Sequence, residues 1–134
     1  MLKIYALASL FTFLVFIIVD FIWLANATRF LYKPHIGPLL LEKPVLPAAA
    51  IFYILYVFGL IFLVLKPAID ANSVINAIWL GGVFGLVAYG TYDLTNLATI
   101  RGWSVTVTVV DMVWGAFLTG LSAGLGVWIA FKFN

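Results

Sequence analysis

Cysteine is absent from the 134-residue chain, and histidine occurs only once, at His35. The lack of cysteine excludes disulfides, thiolate metal sites and cysteine nucleophiles. A single histidine excludes any metal or haem site that needs several histidines from one chain. The sequence therefore predicts neither a metal nor a cofactor.

Charge is also scarce, since charged residues make up 9% of the chain and the formal net charge is +2. No run of Lys or Arg is present, so nucleic acid is not an expected partner. Hydrophobic residues reach 66%, and the mean hydropathy of +1.20 lies far outside the range of soluble globular proteins. The composition predicts an integral membrane protein.

The apolar residues are gathered into runs long enough to span a membrane, which takes about 20 residues per helix. We predict an all-α, polytopic membrane protein, a four-transmembrane-helix bundle in one domain (1–134) with both termini on the same side. The bias of Lys and Arg between the two sides is nearly even, so the orientation stays open. The predicted spans are approximately residues 4–26, 46–66, 74–98 and 104–131.

The connections between the spans are predicted from their helix-breaking and capping residues. In the first, Pro34 and Pro38 argue against a continuous helix. In the second, Pro67 should end one helix, and Asn72 or Ser73 should cap the next. The third is little more than "TIRGWS", which predicts a tight hairpin. We call the side of the membrane that holds the first and third connections the loop face.

Three acidic residues, Asp20, Asp93 and Asp111, lie inside the predicted spans. Counted from the span ends at a rise of 1.5 Å per residue, each lies about 9 to 10 Å below the loop face. A charge at that depth costs on the order of 2 to 3 kcal/mol, so these side chains should face the bundle interior or a wet cavity. We predict a cation-, proton- or ligand-binding cluster of these acids with the neighbouring polar and aromatic residues Tyr89, Tyr92, Asn96, Trp23 and Trp114.

The alternative is that the acids only fasten the helices together. Arg29 and Arg101, the nearest basic residues, could fold back from the loop face and pair with them. Arg101 is also included among the candidate ligand- or ion-binding residues.

The sequence also contains one short repeated string and two pairs of closely spaced glycines. "VDFIW" at residues 19–23 resembles "VDMVW" at residues 110–114, although the two spans run in opposite directions. Gly81 and Gly85, and likewise Gly120 and Gly124, form small-xxx-small pairs that let helices approach closely. Asp111 and Gly120 lie on opposite sides of a helical wheel, so the sequence predicts that only one of them faces the third span.

The strings "FGLVAYGTYDLTNLATIRGW", "VDMVWG", "VDFIWL" and "FYILYVFGL" resemble a bacterial family of predicted membrane proteins, domain of unknown function number 2177. The resemblance covers nearly the whole chain. It implies a small four-helix protein of the bacterial inner membrane. It implies no activity, substrate or catalytic residue.

Three functions therefore remain in competition. The first is a small transport-related module that binds a ligand, cation or proton, with a homo-oligomer as a plausible assembly. The second is a membrane-embedded enzyme acting on a lipid or isoprenoid, with paired carboxyls as acid and base. The third is a structural or accessory subunit. Membrane lipids are expected partners in each case.

Overall fold

The computed structural model describes all 134 residues, Met1–Asn134, and contains helices but no strands. Four of the helices are long and apolar enough to cross a membrane, which confirms the predicted all-α, four-span fold. The location of both termini on one side of the membrane stays a prediction. We label the spanning helices α1 (Leu2–Leu39), α2 (Leu46–Asp70), α3 (Val74–Thr99) and α4 (Val105–Phe133).

Serine caps begin the last two helices. The Ser73 hydroxyl accepts the backbone N–H of Asn76 at 3.1 Å, and the Ser104 hydroxyl accepts that of Val107 at 3.2 Å. Each cap satisfies a backbone donor that the first helical turn leaves free. The α3–α4 hairpin turns at Gly102, whose φ of +81° is readily adopted only by glycine.

The predicted break is wrong at Pro34, because α1 continues through this residue. The helix is interrupted before Pro38, since Ile36 leaves the helical region (φ −132°, ψ 15°) and only a 3₁₀ turn, Gly37–Leu39, follows. The α-helical turns of α1 change to a π-helical segment at Thr28–Tyr32, and the Lys33 N–H bonds to the Thr28 carbonyl five residues back. A proline clashes with the carbonyl four residues earlier, and a wider π turn relieves that clash. The extra residue in this turn also changes the direction in which the following side chains point.

The predicted end of the second span at Pro67 is wrong for the same reason. Helix α2 contains a π-helical segment at Ile61–Leu65, and the Lys66 N–H bonds to the Ile61 carbonyl. The helix then continues through Pro67 to Asp70. Both π segments thus come directly before a Lys-Pro dipeptide, and both allow a spanning helix to accept a proline near its end.

Helix α4 lies at the centre of the bundle. In the most apolar 18-residue stretch of α4, 50% of the residues are buried, whereas the corresponding share is 22% in each of the other three helices. Helix α1 packs along it with Thr12 against Gly126, where an added Cβ would lie 2.0 Å from the Thr12 hydroxyl. Tyr56 of α2 reaches the same core and hydrogen bonds to Thr119. The other helices therefore surround α4 and place their polar residues around it.

The α3–α4 seam follows a row of residues four apart on each helix. On α3 the row is Gly81, Gly85, Tyr89 and Asp93, and on α4 it is Asp111, Gly115, Thr119 and Ala123. Added Cβ atoms at Gly81 and Gly85 would meet Ala123, Thr119 and Gly115, whereas one at Gly115 would meet the Tyr89 ring. Packing of such rows against each other is a common helix-packing mode.

This seam corrects the prediction that only one of Gly120 and Asp111 could face the third span. Gly120 contacts α3 at the Ile78 carbonyl, and the carboxyl of Asp111 lies beside that of Asp93. An inclined row moves around the helix by about 40° for every four residues, so the row of Asp111 approaches the side of Gly120. Gly120 follows Thr119 and packs beside this row against Ile78 and Gly82.

Candidate functional site

A cavity of about 380 Å³ lies between the helices near the loop face, and all four helices contribute to its wall. Its lining combines two carboxyl groups with an unusually aromatic surface. The lining residues are Asp20, Leu24, Tyr32, Ala49, Phe52, Tyr53, Ala88, Tyr89, Tyr92, Asp111 and Trp114. We call this space the acidic cavity.

Asp20 of α1 is 8% exposed and points towards α4. Its Oδ1 atom accepts the indole N–H of Trp114 at 3.3 Å. The hydroxyl of Tyr53, on α2, lies close to the same carboxyl. The 3.3 Å bond is long for a hydrogen bond to a charged group, so a neutral indole gives this carboxyl only weak stabilisation.

Asp111 of α4 is 7% exposed and accepts the Tyr32 hydroxyl at 2.5 Å. The Tyr32 oxygen in turn accepts the indole N–H of Trp23 at 3.1 Å. The π turn at Thr28–Tyr32 sits between Trp23 and the end of α1, and Tyr32 is its last residue. The helical extension that sequence reasoning missed therefore supplies the hydroxyl that holds Asp111.

Two Asp-x-x-Trp motifs face each other, Asp20 to Trp23 on α1 and Asp111 to Trp114 on α4. Trp23 and Trp114 stack with their ring centroids 4.3 Å apart and their planes 12° from parallel. Each tryptophan is linked by hydrogen bonds to the aspartate of the other helix. Trp114 donates directly to Asp20, whereas Trp23 donates to Tyr32, which donates to Asp111. Because α1 and α4 pack antiparallel at this point, the repeated motif produces a local two-fold arrangement rather than two separate sites.

Asp93 of α3 is completely buried, and neither of its carboxyl oxygens receives a hydrogen bond from a donor of the chain. The carboxyl of Asp111 lies beside that of Asp93, although neither Asp93 oxygen has a hydrogen-bond partner. We call these two neighbouring groups, behind the wall of the acidic cavity, the carboxyl pair.

No basic side chain compensates these three acids. The only salt bridge of the chain joins Lys66 to Asp70 at 2.6 Å, in the part of α2 that follows its π turn. Arg29 and Arg101 are exposed and do not pair with the buried carboxyls. The fold-back pairing that would have made the acids purely structural is therefore not formed.

The structure places most, but not all, of the predicted site residues around the cavity. Tyr89 and Tyr92 line it beside Asp20, Asp111 and Trp114. Trp23 and Asp93 contact lining groups from behind. Asn96 is half-buried and Arg101 exposed, and neither lines the cavity.

Sequence reasoning missed Tyr32, Phe52 and Tyr53 as lining residues. Tyr32 was assigned to a connection because Pro34 follows it, and only the π turn makes it part of a helix. Phe52 and Tyr53 sit in a uniformly apolar span, so no pattern separates the side that faces the cavity from the side that faces the lipid. The aromatic string "FYILY" was the one available signal.

The three aspartates do not form a metal-binding cluster. No three of the chain's acidic and histidine side chains lie close enough together to hold one ion. Asp20 is hydrogen bonded to Trp114, whereas Asp93 lies beside Asp111. The site is thus one carboxyl facing a carboxyl pair across an aromatic cavity.

We predict that Tyr32→Phe destabilises the bundle by about 1 to 3 kcal/mol, because it leaves Asp111 and the Trp23 indole without their shared partner. Thermal unfolding in detergent measures the change. Tyr92→Phe is the control, since Tyr92 is 55% exposed. Equal melting temperatures for the two variants would contradict the role assigned to the Tyr32 hydroxyl.

Comparisons with known proteins identify a family but no characterised relative. A family model described as a predicted membrane protein, domain of unknown function 2177, matches residues 5–128. No curated protein and no solved structure matches the sequence. The match covers nearly the whole chain, including every residue of the acidic cavity, and it agrees with the resemblance noted from the sequence. The chain belongs to this family of predicted membrane proteins.

Proposed function

We propose that this protein binds a small ligand, a cation or a proton in the acidic cavity, as a module related to transport. The observation that carries the proposal is the position of Asp20 and Asp111 in the wall of one cavity to which all four helices contribute. Their negative charge is balanced by no basic residue. A proton or a bound cation would supply the missing positive charge.

The unsatisfied carboxyl oxygens of Asp93 support the same proposal. A fully buried carboxyl without a hydrogen-bond donor lowers the stability of the fold. A purely structural role would therefore favour a paired or an apolar side chain at this position. Helix fastening is already provided by glycine contacts along the α3–α4 seam. The acids therefore contribute little that packing alone would not, and an accessory role explains them poorly.

A second candidate, catalysis on a lipid or isoprenoid, is favoured by one feature of the cavity. Phe52 and Tyr92 line it and are 49% and 55% exposed, so the cavity is accessible to a molecule from outside the bundle. A carboxyl pair could transfer a proton to such a substrate. Incubation with a native lipid extract followed by mass spectrometry tests this candidate, and conversion lost in Asp111→Asn would favour it over binding alone.

As part of the same proposal, the protein resides in the bacterial inner membrane as a multi-pass protein. A four-helix chain encloses little volume, so transport would favour a homo-oligomer. Membrane lipids are its expected surroundings, because large apolar side chains cover the outer surfaces of the spans.

The test is a ligand screen by thermal stability in lipid nanodiscs. The panel contains inorganic cations, organic amines and polyprenyl lipids, each at several pH values. A ligand that binds only the folded state raises the melting temperature by mass action. We expect at least one stabilising ligand whose effect is lost in Asp20→Asn and in Asp111→Asn.

Asp70→Asn is the matched control, because it makes the same chemical change at an exposed residue outside the cavity. It should retain the full stabilisation. The proposal is overturned if no compound at any pH stabilises the wild type, or if Asp20→Asn and Asp111→Asn respond like Asp70→Asn.

A further inference from the structure

We infer that the acidic cavity takes a lipophilic organic cation, with its ammonium group between Asp20 and Asp111 and its apolar part against the aromatic wall. This inference rests on the proposed function and names the ligand class for the same cavity. Three properties of the cavity carry it: its charge, its aromatic lining and the position of its mouth.

The charge of the lining has one sign. Asp20 and Asp111 are its only ionisable carboxyls, and neither Lys, Arg nor His lines it. Each of these carboxyls is more than nine-tenths buried and is bonded only by neutral donors. The fully buried Asp93, with both oxygens unpartnered, adds a third acid directly behind Asp111. A neutral or anionic ligand would leave this charge unbalanced, whereas a cation would balance it.

Apart from the two carboxyl groups, most of the residues in the cavity wall are aromatic. Rings attract an organic cation through the negative face of the π system, and the attraction strengthens away from water. A strongly hydrated ion such as Na⁺ or Mg²⁺ would instead need a shell of oxygen ligands, and no three acidic or histidine side chains of the chain are grouped closely enough to supply one. The lining rings are Tyr32, Phe52, Tyr53, Tyr89, Tyr92 and Trp114.

The exposed lining residues place the mouth of the cavity on a surface of the bundle that would face acyl chains. Leu24, Phe52 and Tyr92 line the cavity and are 42%, 49% and 55% exposed. A ligand that entered here would pass through acyl chains before it met the carboxyls. The ligand should therefore combine a cationic head with enough apolar surface to dissolve in the membrane.

The experiment compares benzyltrimethylammonium with its uncharged isostere neopentylbenzene, in which a carbon atom replaces the nitrogen. Binding to the protein in nanodiscs is measured by calorimetry, with empty nanodiscs as background. We expect the wild type and Asp70→Asn to bind the cation at least about tenfold more tightly than the isostere. Asp20→Asn and Asp111→Asn should each weaken cation binding by about tenfold or more.

The aromatic contribution is tested separately at the exposed Tyr92, where substitution leaves the core intact. Tyr92→Phe keeps the ring and should bind the cation like the wild type. Tyr92→Leu keeps an apolar side chain without the ring and should weaken cation binding about three- to tenfold. Equal affinities for these two variants would contradict the placement of the cation against the ring.

Two further outcomes separate this inference from the proposed function. If the wild type binds neopentylbenzene as tightly as the cation, or binds only protons or inorganic cations in an Asp111-dependent manner, the ligand class is wrong and the cavity remains a binding site. If neither probe nor any compound of the thermal screen binds, both the ligand class and the proposed function are wrong.

Discussion

Asp93→Asn is expected to raise the melting temperature of this protein while it weakens ligand binding in the acidic cavity. Asparagine has the same shape as aspartate but carries no charge, and its amide can donate a hydrogen bond to Asp111. The substitution thus removes a buried carboxyl that no donor of the chain satisfies. We expect a gain of about 1 to 2 kcal/mol, or roughly 3 to 8 °C in melting temperature.

The control for this prediction is again Asp70→Asn, which removes an exposed ion pair with Lys66. Exposed pairs contribute about 0 to 1 kcal/mol, so its melting temperature should stay the same or fall slightly. A clear fall in the melting temperature of Asp93→Asn would mean that the carboxylate itself holds the helices together. That result would favour a structural role for the acids over a binding role.

Gly85→Ala is expected to be strongly damaging, although it adds only one methyl group. The added Cβ would lie 2.2 Å from the backbone oxygen of Gly115 and 2.7 Å from the Thr119 hydroxyl. A backbone carbonyl cannot rotate away, so α3 and α4 must separate, at a cost of about 1 to 3 kcal/mol or more. Asp93 lies two turns along the same row, so its contact with Asp111 should loosen as well.

Gly82→Ala is the matched control, because the nearest atom to its added Cβ, the Ala116 carbonyl oxygen, is 3.8 Å away. Alanine favours a helix over glycine by about 1 kcal/mol, so this variant should be neutral or slightly stabilised. Thermal unfolding and ligand affinity should both distinguish the two variants. Similar values for Gly82→Ala and Gly85→Ala would contradict the described seam.

The sequence predicted the membrane class and the four spans because both depend on composition and run length. It also located the three aspartates, because the cost of a charge in hydrocarbon makes any such residue conspicuous. Ser73 was confirmed as a cap of α3 for a local reason, since its hydroxyl bonds a backbone N–H only three residues away.

The helix ends and the partners of the acids could not be predicted, because both depend on contacts between distant residues. A proline normally ends or kinks a helix, and a Lys-Pro dipeptide does not by itself indicate the π turns that accommodate Pro34 and Pro67. The π turn at Thr28–Tyr32 brings Tyr32 to Asp111, 79 residues away along the chain. Each tryptophan could reach the aspartate on its own helix by sequence, but the structure pairs it with the other helix.

The central claim is that carboxyl groups from three helices meet around one cavity, and cross-linking tests it most directly. The chain has no cysteine, so cysteine pairs can be introduced without a background. One variant carries Asp20→Cys with Asp111→Cys, a second carries Asp93→Cys with Asp111→Cys, and a third carries Asp70→Cys with Asp111→Cys as control. Each is treated in membranes with a short bis-methanethiosulfonate reagent and weighed by intact-protein mass spectrometry. We predict one bridging reagent per chain in the first two variants and two separate adducts in the third. Two separate adducts in the first or second variant would contradict a shared cavity.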